Sequence, residues 1–202
     1  MKATPSEQVI LVNPHGNRLT NSPGSIKTMD ELAAHKNEGT PHEAFSVFIY
    51  DPIQNLYLLQ QSATNKYQPE TWANACCGHP RVTENPQEAA CRRLKEETNL
   101  DIPIKYFNLT LQHYYQVNFP QKSLSENEYL YIYLIMVNKF HIEECLKNNP
   151  VNPAEIKHTR WESPTETLTN IKNNQCHKYA KCFKTTASTV YKKIKKINLN
   201  IF

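Results

Sequence analysis

Cys77, Gly78 and His79 stand together in the run Trp72-Ala-Asn-Ala-Cys-Cys-Gly-His-Pro-Arg81, and Gly78 is one of only four glycines in 202 residues. Counted from Gly78, Glu84 falls at +6, Arg92 at +14, and the pair Glu96-Glu97 at +18 and +19. Asn85-Pro86-Gln87-Glu88 between them carries a helix start, with Asn as N-cap, Pro at the first helical position and Glu at the third. A helix predicted over Pro86–Leu100 puts Ala89, Ala90, Arg93 and Glu97 on neighbouring turns of one face. A carboxylate on that face, aimed back at the Gly-His turn, suits a Mg²⁺ on a diphosphate. Hard oxygen donors plus substrate phosphates are how Mg²⁺ is usually held.

Three more sets of residues have the types that chemistry needs. Cys76 and Cys77 are adjacent, and successive strand residues face opposite ways, so one thiol of the two can enter a site. His35 and His42 are separated by six residues that include Gly39 and Pro41; alone, such a pair is what a surface loop carries. Glu126 and Glu128 lie two apart at the mouth of a strand, on one side of it. Paired carboxylates repel unless a cation or a proton sits between them.

The spacing around Gly78 resembles the Nudix box, Gly-x5-Glu-x7-Arg-Glu-(apolar)-x-Glu-Glu-x-Gly-(apolar), with Leu94 and Leu100 in its apolar slots. Arg93 stands where the box has Glu, and Asn99 where it has Gly. More narrowly, Asn74-Ala-Cys-Cys-Gly-His-Pro80 with Arg92-Arg93-Leu94 resembles the type 1 isopentenyl-diphosphate isomerases, a Nudix branch with a catalytic Cys before Gly/Ser-His-Pro. Ala33-Ala-His35 with His42-Glu-Ala-Phe-Ser46 matches a second pattern of that family, and Glu126-Asn-Glu128 a third. The likeness runs from about Ser6 to Tyr191.

The resemblance implies an α+β Nudix superfold, a mixed β-sheet sandwiched between helices, with an N-terminal extension and a C-terminal helix. It implies one domain over residues 1–202 with its core at about 42–172. It assigns catalysis to Cys77 and Glu128, supported by Tyr115 or its neighbour Tyr114. It places His35, His42, His79, Glu126 and Glu128 around one Mn²⁺ or Zn²⁺, and a separate Mg²⁺ on Glu97. Arg93 and Lys66 are the implied diphosphate contacts. The activity that follows is interconversion of isopentenyl and dimethylallyl diphosphate; a Nudix-type diphosphate hydrolase and a degenerate non-catalytic paralogue are the alternatives. The family's other basic diphosphate contacts read here as Glu31, Gln61 and Asn65, with Lys27 and Lys66 near enough to replace them. Its C-terminal Pro-Trp pair, whose Trp lines the cavity, aligns with Lys181-Cys182.

The elements that must position these groups are legible in outline. Gln8–Val12 predicts a strand, Thr28–Ala34 a short helix, and Phe45–Tyr50 with Leu56–Gln60 a hairpin across Asp51–Asn55. Trp72–Cys77, Ile104–Val117, Tyr129–Asn138 and Glu155–Trp161 predict further strands. Ser163-Pro-Thr-Glu166 opens a helix to about Lys172. Over about 176–197, Tyr179, Phe183, Ala187, Val190, Ile194 and Ile197 recur at helical spacing with Lys on the other faces. Such a basic amphipathic helix is expected to dock its apolar stripe on the body rather than on a membrane.

The net charge of +4 is uneven: from Thr167 onward there are eight Lys and no acid, leaving −4 in residues 1–166. Six cysteines in a chain of this length make no disulfide framework, which points to reduced thiols and a cytoplasmic setting. No apolar run reaches the length of a membrane span, and Met1–Gln8 has no apolar secretory core. Four glycines provide neither a dinucleotide fingerprint nor a P-loop. The expected partner is a small prenyl diphosphate, with no nucleic acid, and the chain is expected to be a monomer or weak dimer.

Overall fold

A computed structural model describes residues 7–199 except 67 and 174, with side chains to residue 196. Met1–Ser6 and the Ile197 side chain therefore lie outside the described residues.

The central strand β3 (His42–Asp51) is buried at every position. Its odd-numbered residues Phe45, Val47 and Ile49 pack with Ala89, Ala90 and Leu94 of a helix, α2 (Pro86–Thr98), and with Ile142 of another, α3 (Lys139–Asn148). Its even-numbered Ala44, Phe48 and Tyr50 pack with Phe183, Ala187, Val190 and Ile194 of α5 (Lys181–Leu199). Strand alternation thus divides the core into two layers, one on each face of the sheet. The C-terminal stripe does dock on the body, and full burial of each large apolar side chain is worth about 1.5–3 kcal/mol.

The sheet runs β5-β4-β3-β8-β7, with β6 also on β3 and β9 on β4. Its members are β4 (Leu56–Ser62), β5 (Trp72–Ala73), β6 (Cys76–Gly78), β7 (Asn108–Phe119), β8 (Leu124–Met136) and β9 (Ile156–Glu162). The β3–β8 pair is parallel and the other pairs are antiparallel, giving a mixed sheet between helices. A two-stranded ribbon, β1 (Gln8–Ile10) with β2 (Thr28–Asp30), leads into the short helix α1 (Glu31–His35), and α4 (Pro164–Lys172) precedes α5.

Several element boundaries differ from the sequence reading, for local reasons. Thr28–Ala34 is not one helix: Asp30 ends β2 and caps α1 by accepting from Ala33 N at 2.9 Å. Trp72–Cys77 is not one strand, because Asn74 Nδ2 donates to the carbonyls of Val47 (3.1 Å) and Cys76 (2.8 Å) and divides it. The segment then passes from β4 to β3 as its pairing partner. Ile104–Tyr106 is a 3-10 turn ahead of β7, and β8 begins at Leu124, five residues earlier than expected. The C-terminal helix is interrupted: Cys176–Lys178 is a 3-10 turn and α5 starts at Lys181. Helix α2 ends at Thr98 with Asn99 at φ 58°, so Asn takes the left-handed cap that the Nudix box gives to Gly.

Candidate active site

His42 opens β3 and pairs in parallel register with Glu128 of β8. His35 ends α1 and returns to the same place through a loop that presses on β8. Gly39 in that loop has φ +74°, and a Cβ there would stand 2.9 Å from Asn127 Cβ and 3.1 Å from the Ser125 carbonyl oxygen. His79 follows β6 directly. The three rings converge, with centroids 4.8 Å apart for His35–His42, 4.9 Å for His42–His79 and 5.5 Å for His35–His79.

Each ring is turned by its Nδ1. That atom donates to the Glu31 carbonyl from His35 (2.8 Å) and to the Thr40 carbonyl from His42 (2.7 Å), and in His79 it lies 3.5 Å from Glu31 Oε1. All three Nε2 atoms are left to face Glu128 Oε1, at 3.8, 3.8 and 3.7 Å, and those of His42 and His79 are 3.2 Å apart. Tetrahedral ligands at Zn–N distances stand about 3.3 Å from one another. Three imidazoles with a carboxylate at these separations therefore fit one divalent cation, with the oxygens that fix tautomer and ring direction already bonded to the Nδ1 atoms of His35 and His42. Burial would lower the His35 pKa, but hydrogen bonds to Glu128 and the Glu31 carbonyl outweigh it and raise it to about 9. Burial, with His79 adjoining, lowers His42 to about 4. Burial opposes ionisation of Glu128, yet His35 and His79 hold it well below the usual carboxylate range.

Glu126, expected as a further ligand, lies outside this group of four. Residues two apart on a strand are about 6.6–6.8 Å apart along it, and the register with His42 belongs to Glu128. Glu126 joins the site through Tyr115 instead. Tyr115 stands opposite Glu128 on β7, and its hydroxyl donates to Glu128 Oε2 at 2.7 Å and to Glu126 Oε2 at 3.1 Å. Tyr114 faces the other way and donates to Asn127.

On the opposite side of β3, Cys77 of β6 is paired with Ser46. Its Sγ is 3.1 Å from Ser46 Oγ and 3.1 Å from Asn74 Nδ2, and burial pushes the thiol up to about 12. Cys76 is turned into the α2 layer, fully buried against its apolar side chains and with its thiol beside Glu97 and Arg93. Cys77 and Glu128 line one cavity of about 290 Å³, whose wall also includes Leu130, Ala180 and Cys182.

The same cavity reaches a charged pole. Arg93 Nη2 is 2.7 Å from Glu97 Oε1 and 3.6 Å from Glu155 Oε2, and Lys66 Nζ pairs with Glu155. Burial raises the Glu97 carboxyl to about 7, with Arg93 opposing the rise and Glu155 adding to it. Of the positions read as lost cationic contacts, Glu31 lines the cavity while Gln61 and Asn65 are not among its lining residues; of the two lysines near enough to replace them, Lys66 lines it and Lys27 does not. Gln61 Nε2 donates to the Glu70 carbonyl at 2.8 Å, and alternation along β4 turns Gln60 inward in its place. The rest of the box is a brace: Glu84 holds Arg92 at 2.6 and 2.9 Å, and Arg92 reaches Glu96 at 3.2 Å.

Four residues at the site were missed in the sequence. Ser46 is the hydroxyl-bearing small residue inside the apolar run Ala44–Ile49 of β3, a signal present in the sequence. Asn74 opens the motif that runs through Cys-Gly-His to Pro80, but the residue type alone assigns it no role. Gln60 and Glu155 had no local signal, because their neighbours Lys66, Arg93 and Glu97 come from other elements.

A NUDIX domain profile matches residues 40–182. The fold is similar to that of DR0079 from Deinococcus radiodurans, with a TM-score of 0.64 at 16% identity over 92% of this chain and 99% of that one. It is also similar to a NUDIX hydrolase from Nitrosomonas europaea, with a TM-score of 0.51 at 13% identity over 75% and 88% of the two chains. Fold and profile together define the class, a Nudix-domain protein. In sequence, the chain is 34% identical over 194 residues to the isopentenyl-diphosphate Delta-isomerase of Aliivibrio fischeri strain MJ11, covering 94% of this chain and 95% of that protein. Isopentenyl-diphosphate Delta-isomerase 2 of Photorhabdus laumondii is 34% identical over 155 residues, 77% and 76% of the two chains. The chain belongs to the isopentenyl-diphosphate Delta-isomerase family of Nudix proteins.

Proposed function

We propose that this protein interconverts isopentenyl diphosphate and dimethylallyl diphosphate by a 1,3-proton shift carried by Cys77 and Glu128. The observation that carries the reading is that one cavity is lined by a buried thiol, a buried carboxylate beside three imidazoles, and a charged pole suited to a diphosphate. A divalent cation, Mn²⁺ or Zn²⁺ by ligand type, would be held by His35, His42, His79 and Glu128, and a Mg²⁺ by Glu97; when bound they would supply charge that fixes Glu128 and neutralises the diphosphate.

The chain's own groups account for the rest. Lys66 and Arg93 orient the diphosphate, which leaves the five-carbon end between the strands that bear Cys77 and Glu128. One of the two groups gives a proton to the terminal methylene carbon, and the C3=C4 electron pair forms the new C–H bond. The other removes a proton from C2, and that C–H pair becomes the C2=C3 double bond. Substrate and product are isomers, and the pair ends the turnover with its proton exchanged between sites. In the free protein burial keeps Cys77 as a thiol, while the imidazoles keep Glu128 ionised. That one-proton difference is what a reversible shift requires. Tyr115 directs the Glu128 carboxyl, and the walls from Leu130, Ala180 and Cys182 shield the cationic species from water.

Incubating isopentenyl diphosphate with the purified protein and Mg²⁺, followed by NMR, tests the reading. Appearance of dimethylallyl diphosphate is expected. Release of phosphate without isomerisation would favour diphosphate hydrolysis, and no change at all would favour a binding role.

A further inference from the structure

We infer that Glu155, with the side-chain oxygen of Gln60, completes the cation site at Glu97, so that diphosphate binding makes Lys66 and Arg93 exchange carboxylate partners for phosphate. This rests on reading the charged pole of the cavity as a diphosphate site.

Arg93 Nη2 lies between two acids, 2.7 Å from Glu97 Oε1 and 3.6 Å from Glu155 Oε2. Lys66 Nζ occupies the other side of Glu155. These four groups line the same cavity, and their formal charges cancel. A neutral quartet has little attraction for a diphosphate, since both cations are already satisfied. A divalent cation taken up by the two carboxylates changes that balance: it adds two positive charges to the quartet and frees Lys66 Nζ and Arg93 Nη2 for phosphate oxygens, while Arg93 Nη1 keeps its bond to Glu96 Oε2 at 3.0 Å. One or two carboxylates plus substrate phosphates are the usual protein share of a Mg²⁺ shell.

Gln60 provides a second, independent observation. Its Nε2 lies 3.5 Å from Glu97 Oε2, a weak contact, and its Oε1 is shut off from solvent with no hydrogen-bond donor among the described residues. A buried amide oxygen left without a partner is costly, and a cation beside Glu97 would supply one. The backbone holds these groups in place for it. Ala63 N donates to the Glu155 carbonyl at 3.0 Å, and Asn152 N donates to the Glu97 carbonyl at 2.8 Å, tying the Lys66 loop, the approach to β9 and α2 to one another.

Calorimetric titration of inorganic diphosphate, with and without Mg²⁺, reads the coupling without relying on turnover. In the wild type Mg²⁺ should tighten diphosphate strongly. In Glu155→Gln that Mg²⁺-dependent gain should fall by about tenfold or more, the loss expected for one charge-assisted contact, while binding without Mg²⁺ holds or improves. Glu155→Asp should lie between, and Gln60→Leu should lose a smaller part of the gain. Melting temperature and the Mn²⁺ EPR spectrum of the histidine cluster check that each variant is folded. A wild-type Mg²⁺ gain in Glu155→Gln would overturn the inference. So would an equal tightening with and without Mg²⁺, which would make Glu155 an internal competitor and no ligand. If the wild type shows the coupling yet leaves isopentenyl diphosphate unchanged, the isomerase reading falls and the cation site stands.

Discussion

Tyr115→Phe removes one oxygen atom and nothing else, and the structure sets the size of the effect. The hydroxyl donates to Glu128 Oε2 at 2.7 Å and to Glu126 Oε2 at 3.1 Å. A hydrogen bond to a charged group is worth about 1.5–3 kcal/mol, so kcat should fall by about 10- to 150-fold if that bond holds the Glu128 carboxyl for proton transfer. The ring itself is buried in the α5-facing core, and Phe keeps that packing. Burial and the two acids push the tyrosine hydroxyl well above its ordinary pKa, so it donates at every accessible pH and the deficit should be flat with pH. The Michaelis constant should stay within a few-fold, since Lys66 and Arg93 are untouched. The assay is steady-state conversion of isopentenyl diphosphate followed by NMR across a pH series. A kcat within twofold of wild type, or a loss confined to the Michaelis constant, would refute the role given to Tyr115.

Cys77→Ala should cut turnover by about 10²–10⁴-fold, the share of a positioned acid or base. Cys76→Ala should leave turnover within a few-fold and cost about 1 kcal/mol of stability, read by thermal melting, because Cys76 is packed in the α2 layer. Lys66→Ala should raise the Michaelis constant about tenfold, by loss of one charge-assisted contact; Gln61→Arg should change it less than twofold, because that side chain faces Glu70 and not the cavity. Kinetics at fixed Mg²⁺ checks both. The His35 pKa, raised to about 9, predicts that Mn²⁺ uptake at pH 7.5 displaces the His35 proton and that release vanishes near pH 10. Calorimetry in buffers of different ionisation enthalpy measures it. By the same sign, the His35 contribution to metal-free stability is full below about pH 6.5 and is lost as pH rises through about 9.

The helix carrying Arg93 and Glu97 was legible in the sequence because its start is encoded locally, in Asn85-Pro86 and the Glu88 that closes the capping box. The Gly78-His79 turn and the alternation that lets only one of Cys76 and Cys77 enter the site were legible for the same reason: each depends on residues a few positions apart, whereas the choice of Cys77 and the reading of His35 and His42 as ligands rest on the family resemblance. Other choices needed strand partners far away in the chain. Whether Tyr114 or Tyr115 meets Glu128 depends on the β7–β8 register, where a one-residue slip would turn the ring to the opposite face. The His42–Glu128 register of the parallel β3–β8 pair likewise puts Glu128, and not Glu126, among the imidazoles. Asn74 divides a strand only because the Val47 carbonyl is there to accept from it. Glu155, beyond α3 in sequence, reaches Lys66 and Arg93 because β9 pairs with β4, and no local pattern encodes that meeting. Spacing within one helix or strand is a property of the backbone repeat, whereas a contact between elements exists only once their side chains have packed.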